Sequence, residues 1–261
     1  YLADHVLLRR PCAIKLIRPE RAGDPAILLR FEREVRATAT LTHPNAVQVF
    51  DYGHTPDGTF YYVMEYLPGP TLDELVKKNG PLPPRRAIHF LRQLCGALIE
   101  AHEVGLIHRD IKPGNVIVCE RGCVPDVAKL LDFGLVQSTA LTDGDGSGKL
   151  TVVGSVLGTP AFLAPEQASG DPVDARTDLY ALGTLAYFLL TGQPPFVRKS
   201  SLQLIAAHRN ELPEPLSRYR GDIPADLEAV VLRCLAKKPD DRYLDAGALN
   251  RALAACRTGG P

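Results

Sequence analysis

The chain has 261 residues, of which 45% are hydrophobic, and it carries 30 acidic and 30 basic residues. A chain of this length and hydrophobicity can bury a core, which excludes general disorder. With no net charge it lacks the basic surface that most nucleic-acid binders and binders of anionic membranes carry, so we expect no nucleic-acid partner. The six cysteines are scattered, which favours free thiols in a cytoplasmic setting over a disulfide scaffold.

The N-terminal part is predicted to contain strands and one helix. Residues 1–18 hold two strand-like runs joined by a turn at Arg9-Arg10-Pro11, which predicts a hairpin. Asp24-Pro25 is typical of a helix start, and apolar residues recur at helical spacing after it. Two more strands are predicted at 47–52 and 60–66.

After the Pro/Gly-rich break at 67–70 the periodicity becomes helical. A long helix is predicted after Pro83-Pro84, and short strands are predicted around Ile117 and Leu130. The apolar run at 179–190 is shorter than the roughly 20 residues of a membrane span, so we expect a buried helix and no membrane contact within this chain. This pattern predicts an α+β fold in which a small sheet-rich part precedes a larger helical part.

Two motifs carry the chemistry. Residues 108–115 (His-Arg-Asp-Ile-Lys-Pro-Gly-Asn) fit the pattern H-R-D-x-x-x-x-N, and Asp132-Phe133-Gly134 follows. Phosphoryl transfer needs a carboxylate near the attacking hydroxyl and oxygen ligands for magnesium. Asp110 supplies the first, and Asn115 and Asp132 supply the second. In this order, the motifs resemble those of bacterial eukaryotic-like (Hanks-type) serine/threonine protein kinases.

The resemblance implies the two-lobed protein-kinase fold, an α+β architecture. It implies a kinase domain over residues 1–261, with a small antiparallel-sheet lobe containing one helix at 1–66, a hinge at 65–69, a larger mainly helical lobe at 70–257 and an activation segment at 132–166. Protein kinases also have a first strand and a glycine-rich turn over the ATP phosphates. No glycine precedes Lys15, so we expect the chain to start after that turn and the small lobe to be incomplete.

The same resemblance implies an activity and its partners. The expected reaction transfers the γ-phosphoryl group of ATP to Ser or Thr hydroxyls of proteins, with Mg²⁺, or alternatively Mn²⁺, as the metal. Autophosphorylation of the activation loop and a homodimer of kinase domains are also expected. Many bacterial relatives act in signal transduction and carry a membrane span and a sensor domain after the kinase domain. We expect this segment to be cytoplasmic, and the resemblance leaves open whether the parent protein is anchored in a membrane outside it.

Several residues receive roles through this resemblance. Lys15 would hold the α and β phosphates and pair with Glu34, and Lys112 would contact the transferring phosphate. Thr159, in Gly158-Thr159-Pro160, would bridge Asp110 and Lys112. The residues expected to contact ATP around the adenine base are Ala13, Met64, Glu65, Leu67 and Ile117, with backbone hydrogen bonds at Glu65 and Leu67.

Regulatory and structural roles follow in the same way. Arg109 precedes the catalytic Asp, which is typical of kinases whose activation loop is ordered by phosphorylation. Thr151 is the expected phosphate acceptor, and the alternatives are Thr139, Thr142, Ser147 and Ser155. Glu166 is expected to pair with Arg242, and Asp178 is expected to anchor the backbone of the catalytic loop.

Three functions compete. The first is the enzyme, which an intact set of candidate residues favours: Lys15, Glu34, Asp110, Asn115 and Asp132. The second is a catalytically impaired kinase-like module that signals by binding nucleotide or partners. The third is a small-molecule phosphotransferase, which the peptide-docking segment closed by Ala164-Pro165-Glu166 disfavours.

Overall fold

A computed structural model describes residues 1–7, 9–17, 25–56, 58–133 and 160–257, with side chains from residue 32 onward in the first helix. Within these ranges the chain forms a four-stranded antiparallel sheet, a separate two-stranded sheet and eight α-helices. The small sheet comes first and most helices follow, as the α+β prediction requires. None of the described helices is long and apolar enough to cross a membrane.

The first sheet has the strand order β1-β2-β4-β3. Its strands are β1 (Leu2–His5), β2 (Arg10–Ile17), β3 (Val49–His54) and β4 (Phe60–Glu65), and the helix α1 (Pro25–Ala39) packs beside β3. Val35 of α1 is buried with Phe60 and Tyr62 of β4, so apolar burial holds the helix on the sheet. The predicted hairpin, helix and strands are present, with the ends of β3 and β4 shifted by one or two residues. The turn predicted at Arg9-Arg10-Pro11 is wrong, because Arg10 and Pro11 pair with His5 and Asp4 as the start of β2, and the turn lies between His5 and Arg10.

The helical part begins after β4. It contains α2 (Leu72–Asn79), α3 (Pro84–Glu103), α4 (Pro165–Ser169), α5 (Ala175–Thr191), α6 (Ser201–Asn210), α7 (Ala225–Cys234) and α8 (Ala246–Ala255). Helix α5 is buried on all sides from Thr177 to Leu190, which explains its unbroken apolar run. The predicted buried helix is therefore confirmed, and it lies at the centre of the main hydrophobic core.

A hairpin of β5 (Val116–Arg121) and β6 (Val124–Leu130) lies between the two parts of the fold. The segment before β3 pairs with the end of this hairpin, since the Val47 N–H donates to the Leu130 carbonyl (3.0 Å) and the Leu130 N–H donates to the Asn45 carbonyl (2.8 Å). Helix α3 packs against β6 on the other side. The hairpin thus joins the small sheet to the helices, and its last strand leads directly to Asp132.

Candidate active site

The catalytic-loop backbone is held by one buried carboxylate. Asp178 of α5 is fully buried, and its two oxygens accept hydrogen bonds from the His108 and Arg109 N–H groups, each at 2.8 Å. The His102 ring also lies 2.8 Å from this carboxylate through Nε2. Arg109 has a φ of 66°, which is uncommon for a non-glycine residue and needs such support. Asp178 therefore fixes the direction in which the next residue, Asp110, leaves the loop.

His108 connects the two chemical motifs. Its Nε2 lies 2.7 Å from the Leu131 carbonyl, its Nδ1 lies 3.2 Å from the Asp110 N–H, and its ring lies 4.8 Å from the Phe133 ring. An Nδ1 that accepts and an Nε2 that donates define one neutral tautomer. Burial lowers the pKa of His108, which keeps the ring neutral. The loop with Asp110 and the turn with Asp132 are thereby held together.

Asp110 has one carboxylate oxygen held and one left open. Its Oδ2 accepts hydrogen bonds from Lys112 Nζ (2.7 Å) and Asn115 Nδ2 (3.0 Å), and Asn115 Nδ2 also donates to the Asp110 carbonyl (2.8 Å). In the described part of the chain, no group donates a hydrogen bond to Oδ1 of Asp110 or to Oδ1 of Asn115. Two oxygens that can accept a proton or bind a hard cation therefore remain available in one place.

Asp132 is engaged by two residues of the small sheet. Lys15 Nζ pairs with its Oδ2, and the Tyr62 hydroxyl donates to its Oδ1. Lys15 and Tyr62 are direct neighbours in the β2–β4 register, so both side chains reach the same carboxylate. Burial and the Asp132 charge raise the pKa of Tyr62, which therefore stays a hydrogen-bond donor. The sequence motifs did not reveal Tyr62, since only the register of the two strands places it there.

The expected pair of Lys15 with Glu34 is not the one that this structure contains. Lys15 pairs with Asp132, whereas Oε1 of Glu34 lies 3.6 Å from Nη1 of Arg109. Helix α1 thus brings Glu34 to the catalytic loop, whereas β2 brings Lys15 to Asp132. Arg109, expected as a phosphate contact, thus touches the small-lobe helix directly.

The residues expected around adenine lie together. Met64 pairs with Ala13 across β2 and β4, and it packs with Leu67 and Ile117 in one apolar cluster. Leu67 is buried, and among the described residues none accepts a hydrogen bond from its N–H. This donor is therefore available to a ligand beside the segment after β4.

The pair of Glu166 and Arg242 supports the segment that precedes α5. Arg242 donates to both carboxylate oxygens of Glu166, at 2.7 and 2.8 Å, and Thr177 donates to the same carboxylate at 2.8 Å. Burial raises the pKa of Glu166, but the hydrogen bonds and charge of Arg242 outweigh burial and leave the pKa below its usual value. The two residues are therefore a buried ion pair with nearly all polar atoms satisfied.

Several residues named from the sequence cannot be placed. Asp24, Gly134, Thr151, Gly158 and Thr159 lie outside the described residues, as do the alternative phosphate acceptors Thr139, Thr142, Ser147 and Ser155. The segment that contains the expected phosphate acceptor and the expected bridge to Lys112 is therefore not part of the geometry above.

A family model described as protein kinase domain matches residues 1–252. The serine/threonine-protein kinase PknB of Mycolicibacterium smegmatis is 42% identical over 262 residues, which is 99% of this chain and 41% of the relative. The serine/threonine-protein kinase pkn3 of Myxococcus xanthus is 39% identical over 98% of this chain and 47% of the relative. The chain thus spans less than half the length of these curated relatives.

Comparison with solved structures also indicates a protein kinase. The crystal structure of the kinase domain of Mycobacterium tuberculosis PknI, a double mutant, has a TM-score of 0.74 and 29% sequence identity, covering 97% of this chain and 88% of that one. The fold is the protein-kinase fold, with a small antiparallel sheet before a helical lobe. By its sequence motifs, its fold and a similarity that extends over nearly all of its residues, this chain belongs to the protein kinase family.

Proposed function

We propose that the chain is a protein-serine/threonine kinase that transfers the γ-phosphoryl group of ATP to Ser or Thr hydroxyls of proteins. The observation that carries this proposal is the arrangement at Asp110, where Lys112 and Asn115 hold Oδ2 and leave Oδ1 open. The similarity to relatives named serine/threonine-protein kinases supports it.

Asp110 and Lys112 have complementary tasks in this reaction. The open Oδ1 of Asp110 accepts the proton of the substrate hydroxyl, which makes the oxygen a better nucleophile. Lys112 lies 2.7 Å from Oδ2 and carries the positive charge that stabilises the transferring phosphate. A lysine at this position is a feature of serine/threonine kinases rather than tyrosine kinases in the family that the chain resembles.

Two oxygen-bearing side chains would hold Mg²⁺, the metal of this reaction, with Mn²⁺ as an alternative. Oδ1 of Asn115 accepts no hydrogen bond from the described residues, and Asp132 offers a carboxylate, so both are hard oxygen ligands of the kind Mg²⁺ prefers. When bound, the metal neutralises charge on the phosphates. Lys15, beside Asp132, is the residue that would hold the α and β phosphates.

ATP would be oriented by the hinge at 65–69, between a small lobe at 1–66 and a large lobe at 70–257. The Leu67 N–H and the Glu65 carbonyl would hydrogen-bond adenine, and Ala13, Met64 and Ile117 would enclose it, since these residues lie together.

In the activation segment, at 132–166, we propose Thr151 as the residue that accepts phosphate and Arg109 as its cationic partner. Thr159 would lie near Asp110 and Lys112.

The substitution Asp110→Asn tests the function. Radiolabel transfer from ATP to a generic basic protein is expected to fall by roughly 10²- to 10⁴-fold, because the base is lost while the side-chain shape stays. Asp222→Asn, which removes an exposed carboxylate paired with Arg220, is the matched control and should retain activity. Both variants should melt like the unsubstituted protein.

Equal labelling by the protein and by Asp110→Asn would remove Asp110 from this role. Tight ATP binding without any transfer by the unsubstituted protein would favour the alternative, a catalytically impaired kinase-like module that signals by binding nucleotide or partners. Equilibrium binding of ATP, measured on the same samples, separates these two outcomes.

A further inference from the structure

The side chain of Glu65 is the centre of a buried charge network. Its Oε1 accepts hydrogen bonds from Lys129 Nζ at 2.6 Å and from the Gln48 N–H at 3.0 Å, and its Oε2 pairs with Arg121. The side chains of Glu65 and Lys129 are only 9% and 7% exposed. Lys129 Nζ also donates to the Ala46 carbonyl at 3.2 Å. Every oxygen and cation of the network thus has a partner.

The network joins the hinge to the β5–β6 hairpin, which carries Ile117 on the opposite wall of the proposed adenine pocket. Glu65 is the last residue of β4, and the proposed hinge begins there. Lys129 lies on β6, where it is the direct register partner of Ile117 on β5, and Arg121 ends β5. One ion pair therefore sets the distance between the hinge backbone and the position of Ile117.

Stability alone is a poor explanation for these charges. A buried ion pair contributes little more than well-packed apolar residues of the same volume, because desolvation offsets the Coulomb attraction. Its distinctive property is geometric, since hydrogen bonds to charged groups are short and directional and the pairing breaks if the elements slide. Such a fixed geometry can keep two walls of a binding site in register. A site that is preorganised in this way binds its ligand more tightly.

We propose that Glu65, Lys129 and Arg121 are positioning residues that hold the hinge backbone in register with Ile117 and thereby raise the affinity for ATP. This inference rests on the proposed function, because it takes the hinge as the adenine site. The network acts on binding and leaves the chemical step unchanged, since Asp110 is anchored independently through Asp178 and His108, and Asn115 donates to Asp110.

The substitution Lys129→Met tests the inference, because methionine keeps the chain length and removes the charge, while Glu65 keeps Arg121 as a partner. The KM for ATP and the calorimetric Kd for ATP should both rise about tenfold, which corresponds to about 1.4 kcal/mol. The kcat should stay within about twofold. Lys77→Met, which removes a lysine from an exposed pair with Asp73 on α2, is the matched control and should change neither constant.

A double-mutant cycle adds a second measurement. Glu65→Gln should weaken ATP binding as Lys129→Met does, and the double variant should be no weaker than the worse single variant, because both remove one interaction. Arg121→Ala covers the case in which the buried variants do not fold, since Arg121 is 44% exposed and can be removed without leaving a cavity. It should raise the Kd in the same direction.

Two results would overturn the inference. One is a fall in kcat or in melting temperature with unchanged KM and Kd, which is the behaviour of a purely structural ion pair. The other is strict additivity of Glu65→Gln and Lys129→Met in the Kd. Failure of the proposed function is a separate result, since it would appear in the unsubstituted protein as absent ATP binding or absent transfer.

Discussion

Arg242 is a fully buried cation whose guanidinium donates to Glu166 and to several backbone carbonyls. Truncation to alanine would leave the Glu166 carboxylate buried with Thr177 as its remaining side-chain donor. Loss of one partner of a buried pair costs about 3 to 5 kcal/mol. We therefore expect Arg242→Ala to lower the melting temperature strongly or to yield poorly folded protein.

The control for Arg242→Ala is Arg218→Ala. Arg218 also pairs with a glutamate, Glu214, but both side chains are exposed, and exposed pairs of this kind contribute little. Chemical denaturation of the two variants compares the same chemical change at buried and exposed sites. Normal melting of Arg242→Ala would show that Glu166 has found another partner or has become protonated.

Single residues of the site were predictable where a motif fixes both identity and spacing. Asp110, Lys112 and Asn115 lie within one loop, so six positions of sequence determine their contacts. Tyr62 and His102 were not predictable, because each reaches its carboxylate through an element that is distant in sequence. No spacing rule encodes such contacts, since they depend on strand register and helix packing.

At the scale of elements, α6 meets α5 through a buried polar pair. Nδ1 of His208 lies 2.9 Å from the Tyr180 hydroxyl, and the imidazole lies 5.0 Å from the Phe196 ring. Lys237 lies close to His208, and its Nζ donates to the His208 carbonyl at 2.8 Å. Burial, and then the charge of Lys237, lower the pKa of His208 from 6.5 to about 4.

This lowered pKa predicts acid destabilisation of the α5–α6 contact. Between pH 6.5 and about 4 the unfolded chain protonates His208 and the folded chain does not, so the unfolded state binds more protons there. The free energy of unfolding should therefore rise with pH across this window, with up to about 3 kcal/mol from this residue. His208→Asn removes the titrating group, and urea unfolding at several pH values should give a shallower slope for the variant. Identical slopes for both proteins would contradict the prediction.

Element types followed from the sequence more closely than element ends did. The apolar stripe after Pro83-Pro84 predicted α3, and the structure starts that helix at Pro84. The strand expected from residue 47 begins at Val49, because Val47 bonds instead to the end of β6. Local pattern therefore determines the kind of element, whereas a long-range hydrogen bond determines where the strand begins.

At the scale of the whole molecule, two ion pairs connect the small lobe to the helical lobe, and the motifs did not predict their partners. Glu34 of α1 reaches Arg109 of the catalytic loop, and Lys15 of β2 reaches Asp132. The motifs single out these four residues but do not determine which cation meets which carboxylate. That choice depends on the relative placement of α1 and the helical lobe.

The same placement leads to a prediction for Glu34. Asp132 is a proposed metal ligand, and a carboxylate that binds a metal loses much of its attraction for Lys15, so Lys15 then needs another carboxylate. Glu34 is the candidate on α1, provided that it leaves Arg109. We expect Glu34→Gln to lower kcat/KM at least about tenfold, because the amide cannot balance the Lys15 charge. Steady-state kinetics with a protein substrate measure this change.

Arg109→Met distinguishes the two partners of Glu34. If Glu34 acts only through Arg109, the two single variants should lose the same activity and the double variant should lose no more. If Glu34 pairs with Lys15 in the active arrangement, Glu34→Gln should remain harmful when Arg109 is already replaced. We expect the second result, because Lys15 would touch the phosphates and Arg109 would not. Full activity of Glu34→Gln in both backgrounds would exclude a Lys15–Glu34 pair during catalysis.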